Sequence, residues 1–281
     1  MALLYRQTAS DLATIRQDPT SRSLAEHLNQ VLARAHNLIY MGRRSRFSGI
    51  VTFYRETFPQ IFHETLPYTL AATLIFFAFT AASFILAITN PGFQKFFLGS
   101  EMMETIEKRQ MWTHSIVAIK PLASSQIMTN NLSVSFSTFA LGVTAGIGTF
   151  YMLAFNGVLF GTVNAACWQS GMIDKLWAFV APHSVLELPA IFIAGGAGLL
   201  LAKGMLFPGY LPRRVSFAQE GKKAVQLVLG IIPMLVVAGT VEGFISPTDL
   251  AFPVKLAAAS FLAVLLCLYL KRKPRRPSTA G

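Results

Sequence analysis

His183 and Glu187 stand four residues apart in Pro182-His-Ser-Val-Leu-Glu-Leu-Pro189. On a helix that spacing puts both side chains on one face, about 6 Å apart along the axis. An imidazole and a carboxylate so placed can exchange a proton or share a ligand. The run continues through Ala194-Gly-Gly-Ala-Gly198 and is otherwise apolar. A charged side chain at the centre of a bilayer costs at least ~2.5 kcal/mol on insertion scales, so an acid in such a run implies a partner or a task. Further polar groups sit near the ends of other apolar runs: Asn130 with Asn131, Gln169, and Glu242. His183, Glu187, Glu242, Asn130 and Asn131 form the candidate functional cluster. Two readings of Glu187 stand side by side, a functional group and a buried acid that holds helices together by accepting hydrogen bonds. For Glu242 the structural reading is stronger, because Gly243-Phe-Ile-Ser-Pro247 marks a helix end near water.

The chemistry these residues suggest is incomplete on sequence grounds. Zinc usually takes at least three protein ligands, and the other four of the five histidines do not pair with His183. No metal and no cofactor are therefore expected. The chain has no His-Glu-x-x-His motif, nucleophile elbow, phosphate-binding loop or dinucleotide fingerprint. It is expected not to be an enzyme, with no catalytic residue assigned.

The elements that must position the cluster are read from composition. Of 281 residues, 53% are hydrophobic and 13% charged, and no charged residue lies between Pro121 and Ile173. A helix needs roughly 20 apolar residues to cross a bilayer. Runs near that length recur at Leu66–Ile88, Leu132–Met152, Leu153–Ser170, Val185–Ala202, Ala224–Glu242 and Phe252–Leu270. The expected fold is all-α, a polytopic transmembrane helical bundle of about six spans with N-terminal amphipathic cytoplasmic or interfacial helices. The net charge of +11 is gathered in Arg43-Arg44-Ser-Arg46, in Arg213-Arg214 with Lys222-Lys223, and in Lys271-Arg-Lys273-Pro-Arg275-Arg276. Six spans bring these clusters to one side, which by the positive-inside pattern is the cytoplasm, and both termini with them. The partner is then the lipid bilayer, with a minor pull from anionic headgroups. Nucleic-acid binding by a soluble domain is excluded. Met1–Tyr40 is polar and lacks the apolar core of a cleavable signal peptide.

Three regions follow. Residues 1–63 are cytoplasmic and interfacial helices, with Leu24, Leu28, Val31, Leu32, Ala35 and Leu38 at helical spacing and an aromatic-rich stretch from Phe47 to His63 that Pro59 bends. Residues 64–270 are the transmembrane bundle, with an external amphipathic segment at 93–130 whose His114 is read as an exposed residue. Residues 271–281 are a basic cytoplasmic tail. Within the bundle Gly142 with Gly146, Gly157 with Gly161, and Ala194 with Gly198 place small residues on single helix faces, which favours close packing and permits a homo-oligomer. Asn156-Gly157 reads as the turn between the second and third spans. His183 is placed at the outer mouth of the fourth span. Cys167 and Cys267 fall near opposite ends of their spans, too far apart for a disulfide.

The ordered set Tyr5-Arg-Gln-Thr-Ala-Ser-Asp11-Leu-Ala, Leu28-Asn-Gln-Val-Leu-Ala-Arg34-Ala-His36-Asn37-Leu-Ile-Tyr40, Asn130-Asn131, Phe155-Asn156-Gly157, His183-x-x-x-Glu187 with Ala194-Gly-Gly-Ala-Gly198, and Glu242-Gly-Phe-Ile-Ser-Pro247 resembles the stage II sporulation protein M family of bacterial polytopic membrane proteins. Ser184 stands where the family tends to have glycine. Family members carry a further helical stretch before the position of Leu3, so a start upstream or a shortened member is expected. The resemblance implies a noncatalytic protein of the bacterial cytoplasmic (inner) membrane, a scaffold or partner in an envelope-remodelling complex acting on peptidoglycan, with membrane or envelope proteins as partners. The alternative is a transporter, channel or intramembrane enzyme with a polar site around His183 and Glu187.

Overall fold

In the computed structural model the described residues are 2–15, 24–32, 46–110, 120–248 and 250–272; they are helical or in turns, with no strand among them. The chain divides into two compact units, Met1–Arg55 and Glu56–Gly281. The first contains α1 (Ala2–Ile15), α2 (24–32) and α3 (Arg46–Thr52). Leu12 and Leu32 are buried while Leu24 and Val31 are exposed. The apolar spacing expected across Leu24–Leu38 is thus helical as far as residue 32, and Ala35 and Leu38 lie outside the described residues, as does His114.

The second unit carries the bundle. Its helices are α4 (Phe58–Thr89), α5 (Pro91–Leu98), α6 (Ser100–Glu107), α7 (Lys120–Ala140), α8 (Ile147–Gln169), α9 (Ile173–Leu206), α10 (Arg213–Phe244) and α11 (Phe252–Leu270). A π-helical turn at Phe53–Thr57 leads into α4, and Pro59 occupies its first turn, where a missing N–H costs nothing. Asn90 ends α4 and caps α5 by accepting from the N–H groups of Gly92 and Phe93 at 3.0 and 3.3 Å.

Among the described residues, five helices are long and apolar enough to cross a membrane: Ser48–Thr89, Ile147–Gln169, Ile173–Leu206, Arg213–Phe244 and Phe252–Leu270. Large apolar side chains cover their outer surfaces, among them Leu74, Ile85, Ile147, Phe261 and Leu268. The all-α bundle expected from composition is present. The difference between five spans and six lies in Leu132–Met152, which is not one helix. Leu141–Val143 forms a 3-10 turn, Ala145 and Gly146 take left-handed backbone angles (φ 57° and 83°), and a new helix starts at Ile147. Thr144 Oγ1 accepts from the N–H of Gly148 at 2.9 Å and so serves as a cap. Thr149 Oγ1 then donates to the carbonyl of Thr138 at 2.7 Å and closes the break. Asn156 is consequently not a turn residue. It lies within α8, its amide donating to the carbonyl of Met152. Residues 173–182, which precede the expected run Val185–Ala202, are also helical, so His183 is about ten residues, or ~15 Å, into α9 instead of at its mouth.

Helix α9 is the axis of the unit, since 72% of its most apolar window is buried, against 11% for α11 and 22% for α4. It packs most extensively against α10, then α4, α7 and α11. Small residues make this possible. A Cβ on Gly142 would lie 2.7 Å from Gly198 Cα, one on Gly198 would lie 2.8 Å from the carbonyl oxygen of Thr138, and one on Gly196 would lie 2.8 Å from the backbone nitrogen of Thr69. Gly157 and Gly161 likewise seat α8 on the backbone of α4 at Phe76 and Thr80. Ala194 is fully buried, and Gly146 meets Ala202 at the turn. At the end of the bundle that carries Arg213, Arg214, Lys222, Lys223 and Lys271, two ion pairs fasten helices: Lys203 with Glu220, and Lys223 with Glu64 at 3.5 Å.

Gly198→Val is expected to push the turn at Gly142 off α9. Overpacking of this kind costs about 1–3 kcal/mol, and thermal unfolding in detergent should show a clearly lowered midpoint, whereas Gly209→Ala, with nothing within 4 Å of its Cβ position, should lower it only through its left-handed backbone angle.

Candidate functional site

Two prolines bracket the pair on α9. Pro182 and Pro189 lie inside the helix and remove the N–H groups that would reach the carbonyls of Ala178 and Val185. The segment between them therefore has a locally weakened ladder, and it is there that His183 and Glu187 face the neighbouring helices. His183 is buried, with 6% of its side chain exposed, and its Nε2 lies 3.9 Å from Glu187 Oε2 and 3.9 Å from Glu242 Oε1. The two carboxylate side chains are 19% and 13% exposed. One ligand atom from each of the three residues falls within 4.8 Å of the other two.

The partners of these three come from separate elements. Ser246, in the turn after α10, places its Oγ 3.0 Å from His183 Nδ1. Asn131 on α7 donates through Nδ2 to Glu242 Oε2 at 3.4 Å, and Asn130 reaches Asn131 Oδ1 at 3.5 Å. Phe179, one turn before His183, meets the imidazole edge to face with centroids 5.7 Å apart. Lys255, in the first turn of α11, is buried to 5% exposure and donates from Nζ to the carbonyl of Ser246 at 2.7 Å. A buried positive charge thus stands one residue from the group that holds the histidine.

Of the residues singled out from sequence, the structure brings together His183, Glu187, Glu242 and Asn131. Asn130 is exposed and reaches the group only through Asn131. Gln169 belongs elsewhere: it donates to the carbonyl of Ile88 at 3.1 Å and accepts from Gln94 at 2.5 Å, joining the end of α8 to the α4–α5 corner. Two participants were not singled out. Ser246 lies within the Glu242–Pro247 motif but was passed over as a turn residue. Lys255 interrupts an apolar run, and an ionisable residue inside such a run is itself a signal.

Glu187 has a second surrounding. With Phe76, Phe160, Trp177 and the amides of Asn156 and Asn164 it lines a cavity of about 210 Å³ between α8 and α9. The asparagines are eight residues apart on α8, hence on one face. Each donates to the carbonyl four residues before it, at 2.7 and 2.8 Å, which turns an amide oxygen towards other donors. Phe76 fixes the inner wall by contacts to Phe160 and Phe192, with centroids 5.7 and 5.2 Å apart, and Trp177 stands edge-on to Phe160 at 6.2 Å. The carboxylate therefore looks into a cavity whose walls are aliphatic and aromatic and whose polar groups are few.

Removing the amide from Asn131 leaves a buried carboxylate oxygen without its donor. Asn131→Ala is expected to lower unfolding stability by about 1–3 kcal/mol, while Asn130→Ala, at an exposed position, should stay within about 0.5 kcal/mol of wild type; equal losses for the two would show that the Asn131–Glu242 contact contributes nothing.

Comparison with known proteins bears on the same region. Residues 1–41 match a family described only as a domain of unknown function. An uncharacterized protein of Methanocaldococcus jannaschii is 30% identical over 126 residues, which make up 43% of this chain and 69% of that protein. No solved structure matches the chain. The family model for stage II sporulation protein M covers residues 72–247, from the middle of α4 through Asn131, His183, Glu187, Glu242 and Ser246 to the residue after it, and the chain is a multi-pass membrane protein that belongs to that family.

Proposed function

We propose that the chain acts through a polar binding site built into its transmembrane bundle, as a transporter, a channel component or an intramembrane enzyme does. The observation that carries this reading is the position of Glu187, shared between the His183–Glu242 cluster and the cavity between α8 and α9. A carboxylate whose only work is to hold helices together is best served by a closed site with all its lone pairs occupied. Here one side of the acid faces space large enough for a small solute or the end of a longer chain. The aliphatic and aromatic walls and the two asparagine amides suit a ligand with an apolar body and a polar or cationic end. Of the basic residues, Arg213, Arg214, Lys222, Lys223 and Lys271 gather at the opposite end of the bundle, which supports a bacterial cytoplasmic membrane setting with that end in the cytoplasm.

A second reading is favoured by a different observation. Residues 1–55 form a unit separate from the bundle, and within the bundle unit α5 and α6 form a two-helix platform, where Ile106 packs with Cys167, Met172 and Leu176. Such projections suit a noncatalytic scaffold that holds membrane or envelope partners during peptidoglycan remodelling, the role the family's name suggests.

Glu187→Gln separates the two. If the polar site carries function, this variant should fail to complement a deletion strain while reaching wild-type abundance in the membrane, measured by quantitative immunoblot. On the scaffold reading it should complement fully, and deletion of residues 91–107 should instead abolish co-purification of partners.

A further inference from the structure

We propose that His183, Glu187 and Glu242 form a binding site for a divalent transition-metal ion, Zn²⁺ being the ion that fits best. The proposal deepens the reading of the polar cluster as a functional site and rests on it for the ion's role, though not for its binding.

The distances are the first argument. Nε2 of His183 lies 3.9 Å from an oxygen of each glutamate. That is beyond hydrogen-bond reach, so the imidazole is not donating to either acid. It is close to the spacing of atoms that share an ion. Ligands on tetrahedral zinc at about 2.0–2.1 Å are ~3.3 Å from one another, and the three donors already lie within 4.8 Å of each other. Rotation of the two glutamate side chains covers the remaining ~1 Å. His183 and Glu187 are fixed on one face of α9 by their spacing, and Glu242 arrives from α10, the helix with which α9 makes its most extensive contact.

The second argument is that each ligand is oriented by a neighbour. Metal-binding histidine almost always donates its other ring N–H to an oxygen, and ligating carboxylates are themselves hydrogen-bonded. Ser246 Oγ stands 3.0 Å from His183 Nδ1, in place to accept an Nδ1 proton in the tautomer whose bare Nε2 faces the acids. Asn131 holds the oxygen of Glu242 that the histidine does not face. Ser246 is anchored in turn: its N–H donates to the carbonyl of Val241 at 2.9 Å and its carbonyl accepts from Lys255.

A third observation points to an occupant. Ser135 is fully buried, and its Oγ has no hydrogen-bond partner. It sits one turn from Asn131 on the face of α7 that meets Glu242, where a metal-bound water would supply the missing partner. Charge agrees. Two acids this close in a low-dielectric interior repel, and a divalent ion neutralises the pair. Three protein ligands leave one position open, the pattern of reactive zinc sites instead of closed structural ones. Because Glu187 belongs both to the cluster and to the cavity, that ion would lie at the cavity's end.

The full chain, purified in detergent, stripped with a chelator and reloaded, provides the test. Metal analysis should find about one Zn²⁺ per chain, retained through desalting, and Co²⁺ loading should give a visible absorption band. His183→Ala and Glu242→Gln should each weaken zinc affinity at least 10-fold, Ser246→Ala, which keeps all three ligands, about 10–100-fold, and the exposed His63→Ala not at all. The proposal is overturned if the wild-type chain retains no Zn²⁺, Mn²⁺ or Fe²⁺, or if His183→Ala retains as much as wild type. Should no ion bind while Glu187→Gln still fails to complement, the metal is wrong and the polar site stands. Stoichiometric zinc binding with full complementation by Glu187→Gln would leave the metal site and remove the functional reading.

Discussion

Two carboxylates held within a helical bundle are the constraint on which the second unit depends. Neither Glu187 nor Glu242 lies at a helix terminus exposed to water; both are more than four-fifths covered. The groups gathered around them come from four elements: the Asn131 amide on α7 donates to Glu242, the His183 imidazole on α9 stands 3.9 Å from both acids, the Ser246 hydroxyl in the turn after α10 holds that imidazole, and Lys255 on α11 holds the Ser246 carbonyl. Each helix that contributes must be brought to the same level in the same register. The close contacts elsewhere in the bundle make that register unique, because a helix seated through glycine cannot slide by a residue without bringing a Cβ into backbone.

The glycine contacts and the polar cluster occupy the two halves of one helix. From Ala194 to Gly204, α9 is seated by small residues against Thr69 on α4, the 3-10 turn at Gly142 and Glu220 on α10. From Ala181 to Leu188 it offers polar and proline residues instead. The first half fixes position by contact distance, and the second uses that position to place charge. Helix α7 joins the halves. Its buried residues Asn131, Ser135 and Thr138 recur at helical spacing, continued by Gly142 in the 3-10 turn, so its polar stripe faces the bundle interior and Phe136 faces outwards. This is the reverse of a soluble amphipathic helix and follows from a surrounding solvent that is apolar.

Much of this was legible in the sequence, and the parts that were not share a cause. Hydropathy identified the apolar runs of α4, α9, α10 and α11 because their content is nearly uniform. It misjudged Leu132–Met152 because the apolar run continues through Leu141-Gly-Val-Thr-Ala-Gly146 while the helix does not. The break is set by left-handed angles at Ala145 and Gly146 and by the Thr144 cap, which hydropathy does not weigh. Asn156-Gly157 drew the turn because the dipeptide is common there, yet tertiary packing against Phe76 and Phe79 keeps it helical. Prolines misled in the same way at residue 182, where neighbours tolerate a helix that local rules would end. The spacing of His183 and Glu187 was readable because it is local. Ser246 and Lys255 join the cluster only through a turn and a fifth helix, and no periodicity connects them to residue 183.

The polar face of α7 has a consequence for assembly. Residues 120–140 include two asparagines and seven hydroxyl side chains, and the helix they form does not by composition resemble a membrane span. Its transfer into the bundle is favourable only if those groups meet partners, and protein supplies them: Glu242 for Asn131, the helix's own carbonyl of Val134 for Thr138, and Thr149 for the carbonyl of Thr138. Conversely, Glu242 loses its amide donor if α7 is not in place. Insertion of α7 and solvation of the α10 carboxylate are therefore one event, with α9 and α10 as the prior framework. Whatever occupies the space between His183, Glu187 and Glu242 is bound to the folding of the bundle by the same contacts, so a ligand there would stabilise the helix packing as well as take part in any reaction or transport.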